Sequence, residues 1–453
     1  MNACRPPEVP PGPRLRWGLR RLLPRPFRSL PEARRWTAGL ALALAALLGC
    51  DGGAPPGVGL VRDSAGLRIV EHAAGESGPT WRVGPEPLLR IGRVEGDAPY
   101  LFQDVGDAAR LPDGGIAVLE GAAGEVRLFD RNGVHVRTLG RSGAGPGEFR
   151  SPLRVWPRGD SLVVFDWSGD RITLLPINGS TARVLTPVGL PRAYNGEVWL
   201  AGDRVIVPVK SPAPPMDRTA PVEVFISYVA VPLDGTPPDT VARISGGPQQ
   251  RVQFTVGGAA MITADVSPAL FQAVPLAAAG DGYLWAGSGR RPAIRRYDLR
   301  GGPGMEIRWS APGRAGNPAL VERYIEERAG ASDDPDRTRE TLRQIPVADS
   351  LPRFDRLMLD EVHRIWVRSF QVAPGNGLER WTVYDRDGRR VAEAELPGAL
   401  GVFRVGEDWV LGLRRDELDV PHVVLLPLES TPIGSATSPT RTAPGGADPT
   451  SVR

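Results

Sequence analysis

Two cysteines and one lysine stand in 453 residues, and each shortage narrows what the chain can be. Cys4 and Cys50 both precede residue 51, so a domain built from the remainder holds no disulfide and must be stabilised by packing. Histidine occurs four times, at His72, His135, His363 and His422, and no two share a helical or metal-finger spacing. A histidine zinc site would have to be assembled from distant parts of the fold. Neither a Gly-x-Ser-x-Gly elbow nor a Ser-x-x-Lys is present, so nucleophilic hydrolases lack their local signature. Long helical periodicity is almost missing, while 55 Gly and 47 Pro supply turn punctuation throughout.

Lys210 stands alone among 55 basic residues, a bias that reads as genome base composition rather than recognition. Nine Arg and two Glu in residues 1–50 contribute +7, so the whole-chain +3 becomes about −4 for residues 51–453. A nucleic-acid role, which needs a concentrated basic surface, loses its support.

What is present in abundance is one strand-turn-strand phrase that returns six times. Leu128–Gly133, Arg296–Gly301 and Val383–Gly388 are clear copies; Leu175–Gly179, Val231–Gly235 and Leu425–Glu429 are weaker ones. Ahead of each copy an acidic or glycine turn opens into an apolar strand, at Asp113–Val118, Gly159–Val164, Gly202–Val207, Asp281–Trp285, Asp360–Trp366 and Gly406–Leu411. From Gly114 to Asp160 is 46 residues, and from Glu361 to Glu407 again 46. Four short antiparallel strands and their turns occupy about 40–50 residues, the period of one β-propeller blade. These features predict an all-β, six-bladed β-propeller over residues 60–429. Its core is expected at Val118, Leu119, Leu128, Phe129, Val163, Val164, Phe165, Leu284, Trp285, Ile365, Trp366, Val367, Val383 and Tyr384.

Six blades need roughly 270 residues, so insertions are expected. The largest spans about 313–350, where Asn317-Pro318 offers an N-cap and first-turn proline for a helix through Leu320, Val321, Tyr324 and Ile325. A shorter helix is expected from Asp334-Pro335 to before Pro346. Together they would form a flap beside one mouth of the ring, with Leu320, Tyr324 and Ile325 as candidate partner-binding residues. Unpaired edges invite aggregation, so at least one of the strands read at Leu67–Glu71, Trp81–Val83 and Leu88–Ile91 should pair with those near Val410–Leu413 and Val423–Leu426.

The arginine-rich start runs into Thr37–Cys50, an apolar stretch too short to span a bilayer comfortably, and reads as a signal peptide over 1–50. Its end, Leu47-Leu48-Gly49-Cys50, resembles a bacterial lipobox. That resemblance implies a lipidated Cys50 as the first mature residue, tethering a domain to a membrane of the bacterial cell envelope on the extracytoplasmic side. Each buried methylene contributes about 0.8 kcal/mol, and two or more acyl chains anchor stably. Residues 51–59 read as a flexible linker. Residues 430–453, nearly devoid of large apolar side chains, read as a disordered tail.

Asp130–Gly133 and Asp385–Gly388 read as hairpin turns rather than calcium loops, because the twelve-residue pattern with its terminal glutamate is lacking. Asp333–Asp336 reads as a helix start. The run Arg141–Pro152 carries no Lys-Ser/Thr and no helix, so it fails as a phosphate cradle. It resembles the inter-blade connection of NHL-type propellers, and with the repeated turns it makes the chain similar to bacterial six-bladed, TolB-like propeller lipoproteins. The resemblance implies a fold and a binding habit, since propellers host many unrelated functions. The expected function is non-catalytic: a binding or scaffold module for an extracytoplasmic protein, peptide or glycan, with no catalytic residue, metal ligand or cofactor assigned and no nucleic-acid partner. The alternative is a metal-dependent hydrolase or lyase, which would require three or more carboxylates or amides from different blades to converge at a channel mouth.

Overall fold

The computed structural model describes residues 59–431 apart from 76–77, 170, 187–196, 212–220, 257–258, 268, 303 and 373–376, with the backbone alone at 169, 250–256 and 259–267. The signal peptide, Leu47, Leu48, Gly49, Cys50, the linker up to residue 58 and the tail from residue 432 lie outside the described residues. No helix among the described residues is long and apolar enough to cross a membrane.

Turn chemistry generates the architecture. At Leu128–Gly133 the Asp130 carboxylate accepts from the backbone N–H groups of Asn132 (2.9 Å) and Val134 (2.8 Å), and Gly133 takes φ +78°. Only glycine enters that left-handed region without strain. The same arrangement recurs at Asp385, which accepts from Asp387 (2.9 Å) and Arg389 (2.8 Å). Each such turn folds a strand back on its predecessor. The result is a series of antiparallel meanders, beginning with Val105–Arg110, Ile116–Glu120, Glu125–Phe129 and His135–Leu139. Others follow from Pro152–Arg158 to Arg183–Leu185, from Trp199–Ala201 to Asp239–Val256 with Ala259–Ser267 added, from Leu276–Gly280 to Met305–Trp309, from Phe354–Leu359 to Arg390–Pro397, and from Gly401–Val405 to Pro421–Thr431.

The copy expected at Leu425–Glu429 is not a turn. It lies inside the continuous strand Pro421–Thr431, because both neighbours supply hydrogen-bonding partners along it: Leu425 faces Leu89 and Leu428 faces Val83. That strand also carries Ser430 and Thr431, which the sequence places in the tail.

Those pairings join the two ends of the fold. Leu89–Ile91 lies antiparallel to Val423–Leu425, as expected of an N-terminal strand. Thr80–Val83 inserts between Arg390–Pro397 (parallel) and Pro421–Thr431 (antiparallel), while Leu67–His72 adds a parallel strand to Met305–Trp309.

Each sheet buries both faces, against a different neighbour on each side. On Ile116–Glu120, Ala117 and Leu119 pack with Val155, Leu162 and Val164 of the next meander, whereas Ile116 and Val118 pack with Leu411, Val423 and Leu425 of the last. Period-2 alternation thus feeds two cores from one strand. Clusters of the same kind join every consecutive pair of meanders, so the sheets stack in a closed, propeller-like circuit. All fourteen residues expected in the core are at most 4% exposed, and burying a large apolar side chain is worth about 1.5–3 kcal/mol.

The insert holds helices Pro318–Gly330 and Pro335–Arg343, capped as the sequence indicates: Asn317 Oδ1 accepts from Leu320 N (2.9 Å) and Asp334 Oδ1 from Arg337 N (3.1 Å).

Candidate functional site: a charged channel between the inner strands

The first strand of every meander opens onto one cavity of about 290 Å³, lined from Asp107, Arg154, Trp199, Gly280, Arg356 and Arg404 and their neighbours. Four of these strands carry a β-bulge at equivalent places. Gly106, Leu153, Asp355 and Phe403 are each an extra residue with no opposite number on the paired strand, and the next residue in each case is charged: Asp107, Arg154, Arg356 and Arg404. A bulge bends the strand and re-aims the side chain that follows it. Here it delivers charge to the channel from strands whose buried apolar residues serve the stack.

Two of the four charges hold the circuit together. Asp107 is 1% exposed. It accepts from Arg404 Nη1 (3.0 Å) and Nη2 (2.9 Å), and from the backbone N–H of Val155 (2.9 Å), while Arg404 Nη2 also donates to Val155 O (2.8 Å). First, second and last meanders therefore meet at one bidentate ion pair. Asp360 is likewise occupied, accepting from Arg364 Nε (2.6 Å) and Trp366 Nε1 (2.9 Å).

The other charges are held less tightly. Arg154 donates only to carbonyls, Leu153 O (3.0 Å) and Gly106 O (3.5 Å), and Arg356 has no hydrogen bond or ion pair among the described residues. Glu197 shares the wall with them, within electrostatic reach of both. Water reaches it, yet protein encloses it, and that burial lifts its carboxyl above the usual range against the pull of Arg356 and then Arg154. Burial likewise raises Glu361, opposed by Arg404 at 3.9 Å and by His363. Arg356 is shifted down by burial and by Arg368, but a guanidinium stays charged. Behind it Asp355, raised by burial, accepts from Arg368 Nε (2.7 Å).

The histidines fall in four separate places. His72 is buried with Nε2 2.8 Å from Gly388 O; His135 Nε2 lies 2.9 Å from Thr138 Oγ1; His422 Nε2 lies 2.9 Å from Asp416 Oδ2. Only His363 reaches the cavity, with Nε2 3.6 Å from Asp281 Oδ2. Among the described residues no three His, Cys, Asp or Glu side chains group as a metal-ligand set. In the glycine-rich run, Glu148 accepts from Gly145 N (2.8 Å), Ala144 N (3.0 Å) and Arg141 Nε (2.8 Å), bracing the connection from His135–Leu139 to Pro152–Arg158.

The insert contributes nothing to the lining of the cavity. Of its candidate residues, Ile325 is 1% exposed and faces inward, and half-buried Tyr324 sets its ring 5.1 Å from that of Phe271. These two fasten the insert to the body, leaving half-buried Leu320 nearest to a surface role. Asp107, Arg154, Glu197, Arg356 and Arg404 went unnoticed in the sequence. Their signal is faint: a charge at the third or fourth position of a short strand, as at Asp107, Arg154, Arg356 and Arg404, or just ahead of one, as at Glu197.

No family model matches the chain, and no curated protein matches it in sequence. Solved structures are distantly similar. A member of the DUF4221 family from Bacteroides vulgatus aligns with a TM-score of 0.46 at 10% identity, over 78% of this chain and 99% of that one. A candidate exported protein from Bacteroides fragilis gives 0.41 at 11% identity, over 80% and 99%. A gluconolactonase from Xanthomonas campestris gives 0.37 at 15%, over 79% and 98%. The strand pairing, rather than these likenesses, carries the fold.

Proposed function

We propose that residues 60–429 form a six-bladed β-propeller of the NHL/TolB-like kind, tethered by a lipid on Cys50 to a bacterial envelope membrane on the extracytoplasmic side. There it acts as a non-catalytic binding module for a protein, peptide or glycan. The observation that carries this reading is the channel: the inner strand of each meander opens onto one water-accessible cavity, and Arg154 and Arg356 in its wall have no carboxylate partner within 4 Å among the described residues. Charges that serve the fold are paired, as Asp107 and Arg404 are. Unpaired ones at a concave, partly enclosed site serve a ligand. The metal-dependent alternative finds no group of three His, Cys, Asp or Glu side chains among the described residues to build on.

Fractionated envelope glycans and peptides test this. One fraction should raise the melting temperature of the full-length protein, since a ligand that binds only the folded state stabilises it by RT ln(1 + [L]/Kd). The Arg356→Gln variant should not respond. Equal stabilisation of both, or of neither, refutes the reading. The tether is checked separately: Cys50→Ala should move the chain from the detergent phase to the aqueous phase on phase partitioning, with loss of the acyl mass. An unmodified Cys50 in the wild type overturns it.

A further inference from the structure

We propose that the channel takes a glycan bearing a hexuronic acid, with its carboxylate bridged by Arg154 and Arg356 and its hydroxyls donating to Glu197 and Glu361. This deepens the binding-module reading and rests on it. The third arginine in this wall already has a carboxylate, Arg404 holding Asp107 at 2.9 Å, and the wall residue Asp360 is held by Arg364 at 2.6 Å. Among the described residues Arg154 and Arg356 have none, and a planar guanidinium is the side chain best shaped to grip a carboxylate or phosphate through two parallel bonds.

Charge decides between those two anions. Once the Asp107–Arg404, Asp360–Arg364 and Asp281–Arg386 pairs are set aside, two cations (Arg154, Arg356) share the cavity wall with two carboxylates (Glu197, Glu361). A phosphate dianion would meet those carboxylates at close range. A single carboxylate brings half that charge and leaves both arginines matched. Hydroxyl donors suit both glutamates, and a sugar ring is dense in them, whereas a peptide tail has few. Trp156 and Trp199, both half-buried in the wall, offer flat apolar faces for the C–H side of such a ring. About 290 Å³ lies at the small end of ligand pockets, suited to one or two rings rather than an extended chain.

The test is a titration of full-length protein in detergent, followed by tryptophan fluorescence. The probes are sodium glucuronate, glucose, inorganic phosphate and N-acetyl-trialanine. Glucuronate should bind saturably and the other three should not. Arg154→Gln and Arg356→Gln should each weaken it by roughly tenfold or more, the effect of deleting a bond to a charged group. Arg356→Lys, which keeps the charge but loses the fork, should fall between, and its retained melting temperature separates lost contact from lost folding. Glucose binding as well as glucuronate, phosphate or the peptide outcompeting it, or arginine variants binding like the wild type would overturn the proposal. Should glucuronate fail while an envelope fraction still stabilises through Arg356, the ligand class falls and the binding module stands. Failure of both removes both.

Discussion

Removing Arg404 alone should destabilise the protein more than removing Arg404 and Asp107 together. In Arg404→Leu the Asp107 carboxylate, 1% exposed, keeps only the Val155 N–H at 2.9 Å in place of three donors. Val155 O loses its partner at 2.8 Å as well. Stranding a buried charge in this way costs about 3–5 kcal/mol. Asp107→Asn keeps the shape and one acceptor but loses the charge-assisted pair, so a cost of roughly 1.5–3 kcal/mol is expected. Replacing both residues by Leu leaves neither charge to be solvated, and the loss should shrink well below that of Arg404→Leu. The assay is equilibrium urea unfolding of the four proteins followed by tryptophan fluorescence, with the midpoint moving and the slope unchanged. A cost for Arg404→Leu under about 1 kcal/mol, the worth of an exposed pair, would refute the reasoning. So would a double variant that loses the sum of the two single costs, because residues in direct contact should not add.

Burial raises Glu197 in the folded chain, so the folded state holds that proton more tightly than the unfolded one; this stabilising contribution is full below the unfolded pKa and is lost as pH rises through the folded one. Glu197→Gln, never charged, should therefore melt higher than wild type at neutral pH and lose that advantage below about pH 4; an equal gain at both ends would show that charge is not the cause. In the insert, Asn317→Ala deletes the cap on Leu320 N (2.9 Å) and should destabilise the Pro318–Gly330 helix by about 1 kcal/mol. Faster amide exchange confined to the insert is the expected reading, and unchanged exchange there would count against the cap.

Most of the fold was written in features that act locally. An Asp two residues ahead of a backbone N–H and a glycine able to take positive φ close a hairpin without help from the rest of the chain, which is why the turns at Gly133, Gly301 and Gly388 were legible. Asn317 and Asp334 announced two helix starts for the same reason. At Leu425–Glu429 the sequence misled, because a phrase that resembles a turn was held straight by Leu89 and Val83, residues more than 300 positions away.

The site was hidden for a related reason. A bulge is decided by the pairing of two strands, so nothing in Pro152–Arg158 or Phe354–Leu359 alone says that Leu153 or Asp355 will be skipped and that Arg154 or Arg356 will turn to the channel. The middle of the first meander's second strand has no such freedom: Ile116, Ala117, Val118 and Leu119 bury alternately against two neighbouring sheets, and a charge among them would lose water on both faces. On the inner strand the circuit's own geometry leaves one edge wet. Stacking thus reserves the outer strands for stability and frees the inner ones for charge, and a comparison of inner-strand bulges between such chains should separate their ligands better than the repeated turns do.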